Sequence, residues 1–282
     1  MAGEALWRCG PHAVPLRQRT LVMGIVNVTP DSFSDGGSYT SVDDAVKHGI
    51  QMVSDGADLL DVGGESTRPG SAPIPADEEL ARVVPVIQRL THELRDTPVS
   101  VDTRKAEVAR SALDAGAAIV NDIAAGADPD MFQAVRRAQA GMILMHMKGE
   151  PKTMQEQPTY YDVVAEVRGF LGERVEAAVA AGIGLDQLCI DPGLGFGKTL
   201  EHNLAILHDI DALHHLEVPV LVGPSRKRFI GALTDAAVDD RLEGTAGVVA
   251  WCAARGVDIV RVHDVKEMVR VVRVVDAITR GT

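Results

Sequence analysis

Cysteine is scarce, and its placement excludes more than its number does. Cys9, Cys189 and Cys252 are the only three in 282 residues, an odd and scattered set that supplies neither a disulfide framework nor the paired spacing of a zinc site. Such thiols suit a reducing, cytoplasmic setting. No apolar stretch approaches the roughly 18 residues of a membrane span, so no membrane partner is expected. Cationic excess is missing too: 28 Lys and Arg stand against 40 Asp and Glu, a net charge of −12, which argues against nucleic acid as a partner. The opening MAGEALWRCGPHAVPLRQRT lacks the basic start and apolar core of a secretory signal. It reads as a lead-in or cap over residues 1–20, ahead of one domain over 21–282. The motifs H-E-x-x-H and G-x-S-x-G are absent, which disfavours that zinc chemistry and nucleophilic hydrolysis. His202, His208, His214 and His215 show no metal spacing and are expected on a solvated helix face.

What the chain does contain is repetition. Eight short apolar runs, VMGIVN, LLDVGG, VSVDT, IVND, MILMH, LCID, VLVG and IVRVH, stop on a polar residue or a glycine turn. Amphipathic segments separate them, such as Val46, Ile50 and Val53 behind Ser41–Asp44, or Leu80, Val84, Ile87, Leu90 and Leu94, or Val265, Met268, Val272, Val275 and Ile278. Strand and helix alternating without a linker fit an open doubly wound sheet or a closed one, and eight units favour an α/β fold of the single (β/α)8 TIM-barrel type. In that fold functional groups sit at the C-terminal strand ends, which directs attention to Asn27, Asp61, Asp102, Asn121, His146, Asp191, Arg261 and His263.

Two connections are long, VTPDSFSDGGSYT after Asn27 and GGESTRPGSAPIPA after Val62. They are flexible spacers, or lids carrying Phe33, Asp35, Thr67 and Arg68 to the site. PGLGFGKT, residues 192–199, misses a phosphate loop by one residue, because Pro192 stands where the first glycine belongs. A nucleotide triphosphatase therefore remains as an alternative. Asp102, Asn121 and Asp191 are either helix caps or a convergent set that, with Lys227 as donor, matches the edge of a pterin or guanine-like ring. GPSRKRF and RVHD place Arg226, Lys227, Arg228, Arg261 and His263 after the last two strands, where barrels commonly bind phosphate. An acidic body with a cationic mouth points to a small anionic ligand.

Taken together, NVTPDSFSDGG, GGESTRPG, VDT, ND, MHMKGEPKTMQ, DPGLGFGK, SRKRFIG and RVHDV resemble the dihydropteroate synthase family in order and on every expected strand, from about Val22 to Val265. The resemblance implies that 6-hydroxymethyl-7,8-dihydropterin diphosphate and p-aminobenzoate are joined to 7,8-dihydropteroate with release of diphosphate, using Mg2+, in folate biosynthesis. It assigns Asp102, Asn121, Met145, Asp191, Gly223, Lys227 and Arg261 to the pterin. Asn27, Arg68, Arg261 and His263 go to the diphosphate, with Asn27 also touching the metal. Phe33, Thr67, Arg68, Pro69, Phe196 and Ser225 go to the p-aminobenzoate pocket, and Asp102, Lys227, Arg261 and Asp35 to catalysis. Asp61 and His146 are left as structural.

The same resemblance implies sulfonamide competition and a homodimer formed through late helices, including the one around Arg241 to Ala254. One departure is visible: NDIAAG stands where the family commonly has NDVSGG, so Ala124 and Ala125 replace a serine and a glycine. A pterin-binding methyltransferase barrel and a non-catalytic pterin-binding paralogue are the competing readings. The first has no use for GGESTRPG or SRKRF, and the second would be favoured by loss of ligand residues that are all present.

Overall fold

The computed structural model describes residues 5–28, 42–67 and 70–281. Ser41, Phe33, Asp35, Arg68 and Pro69 lie outside the described residues. Strands β1 (Leu6–Cys9) and β2 (His12–Pro15) precede an alternation of β3 (Leu21–Asn27), α1 (Val42–Ser54), β4 (Leu59–Gly63), α2 (Ala76–Glu93), β5 (Val99–Asp102), α3 (Ala106–Asp114), β6 (Ile119–Asp122) and α4 (Met131–Ala138). It continues through β7 (Gly141–Met145), α5 (Val163–Ala180), β8 (Leu188–Asp191), α6 (Leu200–His208), β9 (Leu221–Val222), α7 (Arg228–Thr234), α8 (Leu242–Ala254), β10 (Ile259–Val262) and α9 (Val265–Arg280).

Strands β3 to β10 form one eight-stranded sheet in the order β8-β7-β6-β5-β4-β3-β10-β9. A parallel bridge between Ile190 and Val220 brings its two ends together, and Ile190 N donates to Pro219 O at 2.9 Å. The sheet is therefore a (β/α)8 barrel.

The period of two along each strand explains its two cores. Outward residues such as Val22, Val26, Leu60, Val62, Val101, Val120, Leu144, Ile190 and Val260 are buried together with the helix stripes. Inward residues Met23, Leu59, Ile119, Ile143, Cys189, Leu221 and Ile259 pack instead with Trp7, Cys9, Val14 and Leu16 of the β1–β2 hairpin. Trp7 is fully buried, and its indole N–H donates to Gln187 O at 2.9 Å, so its one polar atom is satisfied. The hairpin thus plugs the end of the barrel away from the strand C-termini. Three aspartates staple that end by accepting from backbone N–H groups: Asp58 from Val22 N at 2.9 Å, Asp258 from Val220 N at 2.9 Å and Asp276 from Thr20 N at 2.8 Å.

Three helix faces differ from the expected stripes. In α1 Ile50 is 37% exposed and Val53 half-buried, the buried positions being Ala45, Val46, Gly49 and Met52. In α2 Ile87 and Leu90 are buried as expected, but Leu80, Val84 and Leu94 are only partly buried against the core while Glu79, Val83 and Val86 take the deepest positions. The cause is Glu79, which turns inward to pair with Lys105. In α9 Asp276 is buried and Ile278 is 77% exposed, because the Asp276 carboxylate serves Thr20 and Arg280. The four histidines are divided between α6 and the 3-10 turn Ile210–Leu216, and two of them face inward enough to bond: Thr199 N donates to His202 Nδ1 at 3.2 Å, and His214 Nε2 lies 3.1 Å from Arg255 O. No helix among the described residues is long and apolar enough to cross a membrane.

Candidate active site

Above the apolar floor the inward positions turn polar. Arg261, from β10, lies between two carboxylates: its Nε donates to Asp61 Oδ2 at 2.6 Å and its Nη2 to Asp102 Oδ2 at 2.8 Å. Asp61 Oδ2 also accepts from Asn121 Nδ2 at 2.9 Å. Residues from β4, β5, β6 and β10 thereby share one network across the strand ends. Burial pushes the Asp102 carboxyl up to about 7, with Arg261 opposing the rise and Asp61 adding to it by repulsion. Burial works against the charge of Arg261, yet Asp61 and Asp102 outweigh it and the guanidinium is held more firmly protonated than usual.

Asp61, which the family resemblance leaves structural, holds two of the residues assigned to the pterin, Asn121 and Arg261. It is fully buried and sits within the mouth network. The available signal was alternation: Leu59, Asp61 and Gly63 share a face of β4, so Asp61 points inward two residues before the strand ends.

The loop after β8 forms the opposite wall. Asp191 Oδ1 accepts from Gly193 N at 2.7 Å, and burial raises its carboxyl, against the Gly193 amide and Lys227. Gly193, Gly195 and Gly197 have φ of +66°, +80° and +62°, which L side chains rarely adopt. A Cβ at Gly193 would collide with His146 O, and one at Gly197 with Lys148 O. Lys198 completes the seam. Its Nζ lies 2.8 Å from His146 Nδ1, 3.0 Å from both Gly193 O and Phe196 O, and 3.3 Å from His146 O. Burial lowers this ammonium to about 7, with Asp191 opposing, and burial with Lys198 lowers the His146 imidazole to about 3. Lys198 is 3% exposed, so it serves the protein's own carbonyls, and the phosphate-loop alternative fails on that geometry. Its role was not legible in the sequence.

Phe196, so held, joins Met145, Ile123 and Met154 in a small apolar cluster. Lys227 Nζ sits 4.2 Å from the Phe196 ring centroid, within cation–π range. Burial lowers the Lys227 ammonium to about 8, with Asp191 acting in the opposite direction. Of the three consecutive cations, only Lys227 turns inward: Arg226 pairs with Asp264 at 2.6 Å, and Arg228 is exposed. Gly223 packs beside Arg261, where a Cβ would lie 3.9 Å from the Arg261 Cβ. Ser225 Oγ accepts from His263 N at 3.1 Å and lies 2.9 Å from His263 Nδ1, linking the loops after β9 and β10.

Asn27 ends β3, half-buried. A Cβ at Gly63 would be 3.8 Å from both Asn27 Oδ1 and Asp102 Oδ2, so the two oxygens flank one glycine. The β4–α2 loop is anchored at its stem, where Lys105 pairs with Glu65 and Glu79 and Arg104 with Glu65 at 3.3 Å. Thr67, also on that loop, is half-buried. The departure at NDIAAG has a local cost: Ala125 has φ +51°, a left-handed conformation that a Cβ disfavours by about 1–2 kcal/mol. Asp122 restrains it by accepting from Ala124 N at 2.8 Å and Gly126 N at 2.6 Å.

Among the described residues the mouth therefore offers several acceptors, the Lys227 ammonium, the Arg261 guanidinium and an apolar wall. That set can grip a flat donor-rich heterocycle and an anion beside it. A sequence profile of the family described as "Pterin binding enzyme" matches residues 23–263. The chain is 48% identical over 256 residues to the dihydropteroate synthase of Escherichia coli strain K12, covering 91% of this chain and 90% of that one. A Xanthomonas albilineans dihydropteroate synthase solved with 4-aminobenzoic acid superposes with a TM-score of 0.91, 47% identity and 98% coverage of each chain. A Yersinia pestis dihydropteroate synthase in a sulfonamide drug complex gives 0.90, 45% identity, and coverage of 95% of this chain and 98% of that one.

Proposed function

The chain belongs to the dihydropteroate synthase family of pterin-binding enzymes, and from that membership we infer how its mouth divides the family reaction. In that reaction 6-hydroxymethyl-7,8-dihydropterin diphosphate and p-aminobenzoate give 7,8-dihydropteroate and diphosphate. The carrying observation is the network Asn121–Asp61–Arg261–Asp102 facing Asp191 and Lys227. Asp102, Asn121 and Asp191 accept from the pterin edge, Lys227 donates to its carbonyl, and Met145, Gly223 and Arg261 line its faces.

Substitution proceeds by loss of the leaving group first. The C–O bond between the exocyclic methylene and diphosphate breaks, and its electron pair departs on oxygen toward Arg261, His263, Arg68 and Asn27. The resulting cation is delocalised into the dihydropterin and stabilised by Asp102. The aromatic amine then forms the C–N bond and releases a proton. Asp35 and the two long loops exclude water that would capture the cation. Phe196, Ser225, Phe33, Thr67 and Pro69 form the p-aminobenzoate pocket, where sulfonamides, bound by the Yersinia relative, compete.

Mg2+ fits this donor set. Among the described residues no three His, Cys, Asp or Glu side chains gather as a metal cage, but Asn27 Oδ1 faces the mouth, and Mg2+ commonly takes few protein ligands together with substrate phosphates. Asn27 would hold it, and it would supply charge neutralisation for the diphosphate. Leu233, Val238 and Trp251, 55%, 49% and 44% exposed on the α7–α8 face, support a homodimer through that face. The three buried free thiols support a cytoplasmic setting.

Mixing the protein with the dihydropterin diphosphate, p-aminobenzoate and Mg2+ should yield dihydropteroate, detected by mass spectrometry. No product above a protein-free control would overturn the reading of this chain as a working catalyst.

A further inference from the structure

Asp61 is the buried group that this scheme leaves without a task. The other buried aspartates of the barrel direct their carboxylates to backbone N–H groups: Asp122 to Ala124 and Gly126, Asp191 to Gly193, Asp258 to Val220 and Asp276 to Thr20. Asp61 accepts from no backbone group among the described residues. Its Oδ2 takes Arg261 Nε at 2.6 Å and Asn121 Nδ2 at 2.9 Å, both residues of the ring pocket. Its Oδ1 is buried without a hydrogen-bond partner, as is Ser100 Oγ at the paired position of β5. A fully buried carboxylate with one oxygen unsatisfied weakens a fold, so the barrel itself does not account for it.

We propose that Asp61 is a positioning residue that sets the specificity of the ring pocket, by holding the Asn121 amide in the orientation that turns its oxygen to the ring. The proposal rests on the pterin reading of the mouth. A carboxylate bonded to a guanidinium can only accept, so Asn121 must present its nitrogen to Asp61 and its oxygen elsewhere. Without that partner the near-symmetric amide can rotate by 180° and offer N–H groups to a ring edge that also carries N–H groups. Asp61 thereby makes Asn121 an acceptor beside Asp102 and Asp191, and the pocket selects an edge rich in donors.

The test is titration calorimetry on the full chain with two ligands, 6-hydroxymethylpterin and its 2-oxo counterpart 6-hydroxymethyllumazine, in which an amino donor becomes a carbonyl acceptor. Asp61→Asn should weaken the pterin about 10-fold or more, narrow the preference for pterin over lumazine, and shift Tm by only about a few degrees. The fold survives because Arg261 keeps Asp102 as its counter-charge; Asp61→Ser is the second variant, with the same expected change in preference. In an Asn121→Ala background, Asp61→Asn should cost less than about 3-fold. An unchanged preference in both variants, or a loss equally large without the Asn121 amide, overturns the inference. Wild-type protein that binds neither ring would overturn the pterin reading and this inference with it. Wild-type binding with an unaltered preference in the variants overturns this inference alone.

Discussion

Asp102→Asn should make the protein more stable at pH 8 while removing most of its turnover. In the folded chain burial lifts the Asp102 carboxyl to about 7 even with Arg261 beside it, whereas an unfolded aspartate titrates near 3.9. Below about pH 4 both states hold the proton, and the residue contributes no pH dependence. As pH rises toward 7 the unfolded chain releases its proton and the folded chain does not, so stability is lost across that window and the loss levels off above it. The gap corresponds to about 4 kcal/mol at most. Because the Asp102 side chain keeps 12% of its exposure, solvent screening reduces the expected difference to about 1–3 kcal/mol. Arg261 retains Asp61 in the variant, so no cation is left unpaired. Urea denaturation of wild type and Asp102→Asn at pH 5 to 8.5 measures the effect directly. Contributions from Asp122 and Asp191 are common to both proteins and cancel in the difference. Parallel stability curves, or a variant less stable at pH 8, would refute the argument that Asp102 is held against its ionisation. Turnover in the same variant should fall about 100-fold or more, since charge aimed at a developing cation is lost.

Two further expectations concern the walls of the site. Lys198→Met removes the donor shared by Gly193 O and Phe196 O; the KM for p-aminobenzoate should rise about 10-fold, with pterin affinity changed less than about 3-fold, as steady-state kinetics and calorimetry would read. Ala125→Gly relieves the left-handed backbone at φ +51° and should stabilise the protein by about 0.5–1 kcal/mol with unaltered turnover, checked by thermal unfolding.

The strands were legible because each carries both a period of two and a polar stop: IVND and LCID mark β6 and β8 to within a residue. Asp102, Asn121, Asp191, Lys227 and Arg261 follow from that placement, since parallel strands of one closed sheet end in one mouth. Asp61 is among the strand-end candidates but takes no role from the family motifs, which lie in the loop after Val62; its partners Arg261 and Asn121 come from β10 and β6 and become visible only once the barrel is closed. Glu79 and Asp276 displaced the helix stripes for a different reason. A carboxylate with a buried partner outcompetes a nearby apolar side chain for the inner face, and the partners, Lys105 and Thr20, lie 26 and 256 residues away. Lys198 was silent because a lysine after a glycine turn looks alike whether it meets a phosphate or its own carbonyls. That distinction depends on how close the loops after β7 and β8 approach.

That approach has an evolutionary consequence. At positions 193 and 197 a replacement would need both a left-handed backbone and room that carbonyl oxygens already occupy. Much of the wall behind Phe196 is therefore main chain, whose atoms no codon change can exchange. A small inhibitor resting there would meet a surface that selection can alter only through the few side chains it carries. Escape by point mutation would have to come from the pocket's other sides, and a compound confined to the glycine seam would present the narrowest genetic target.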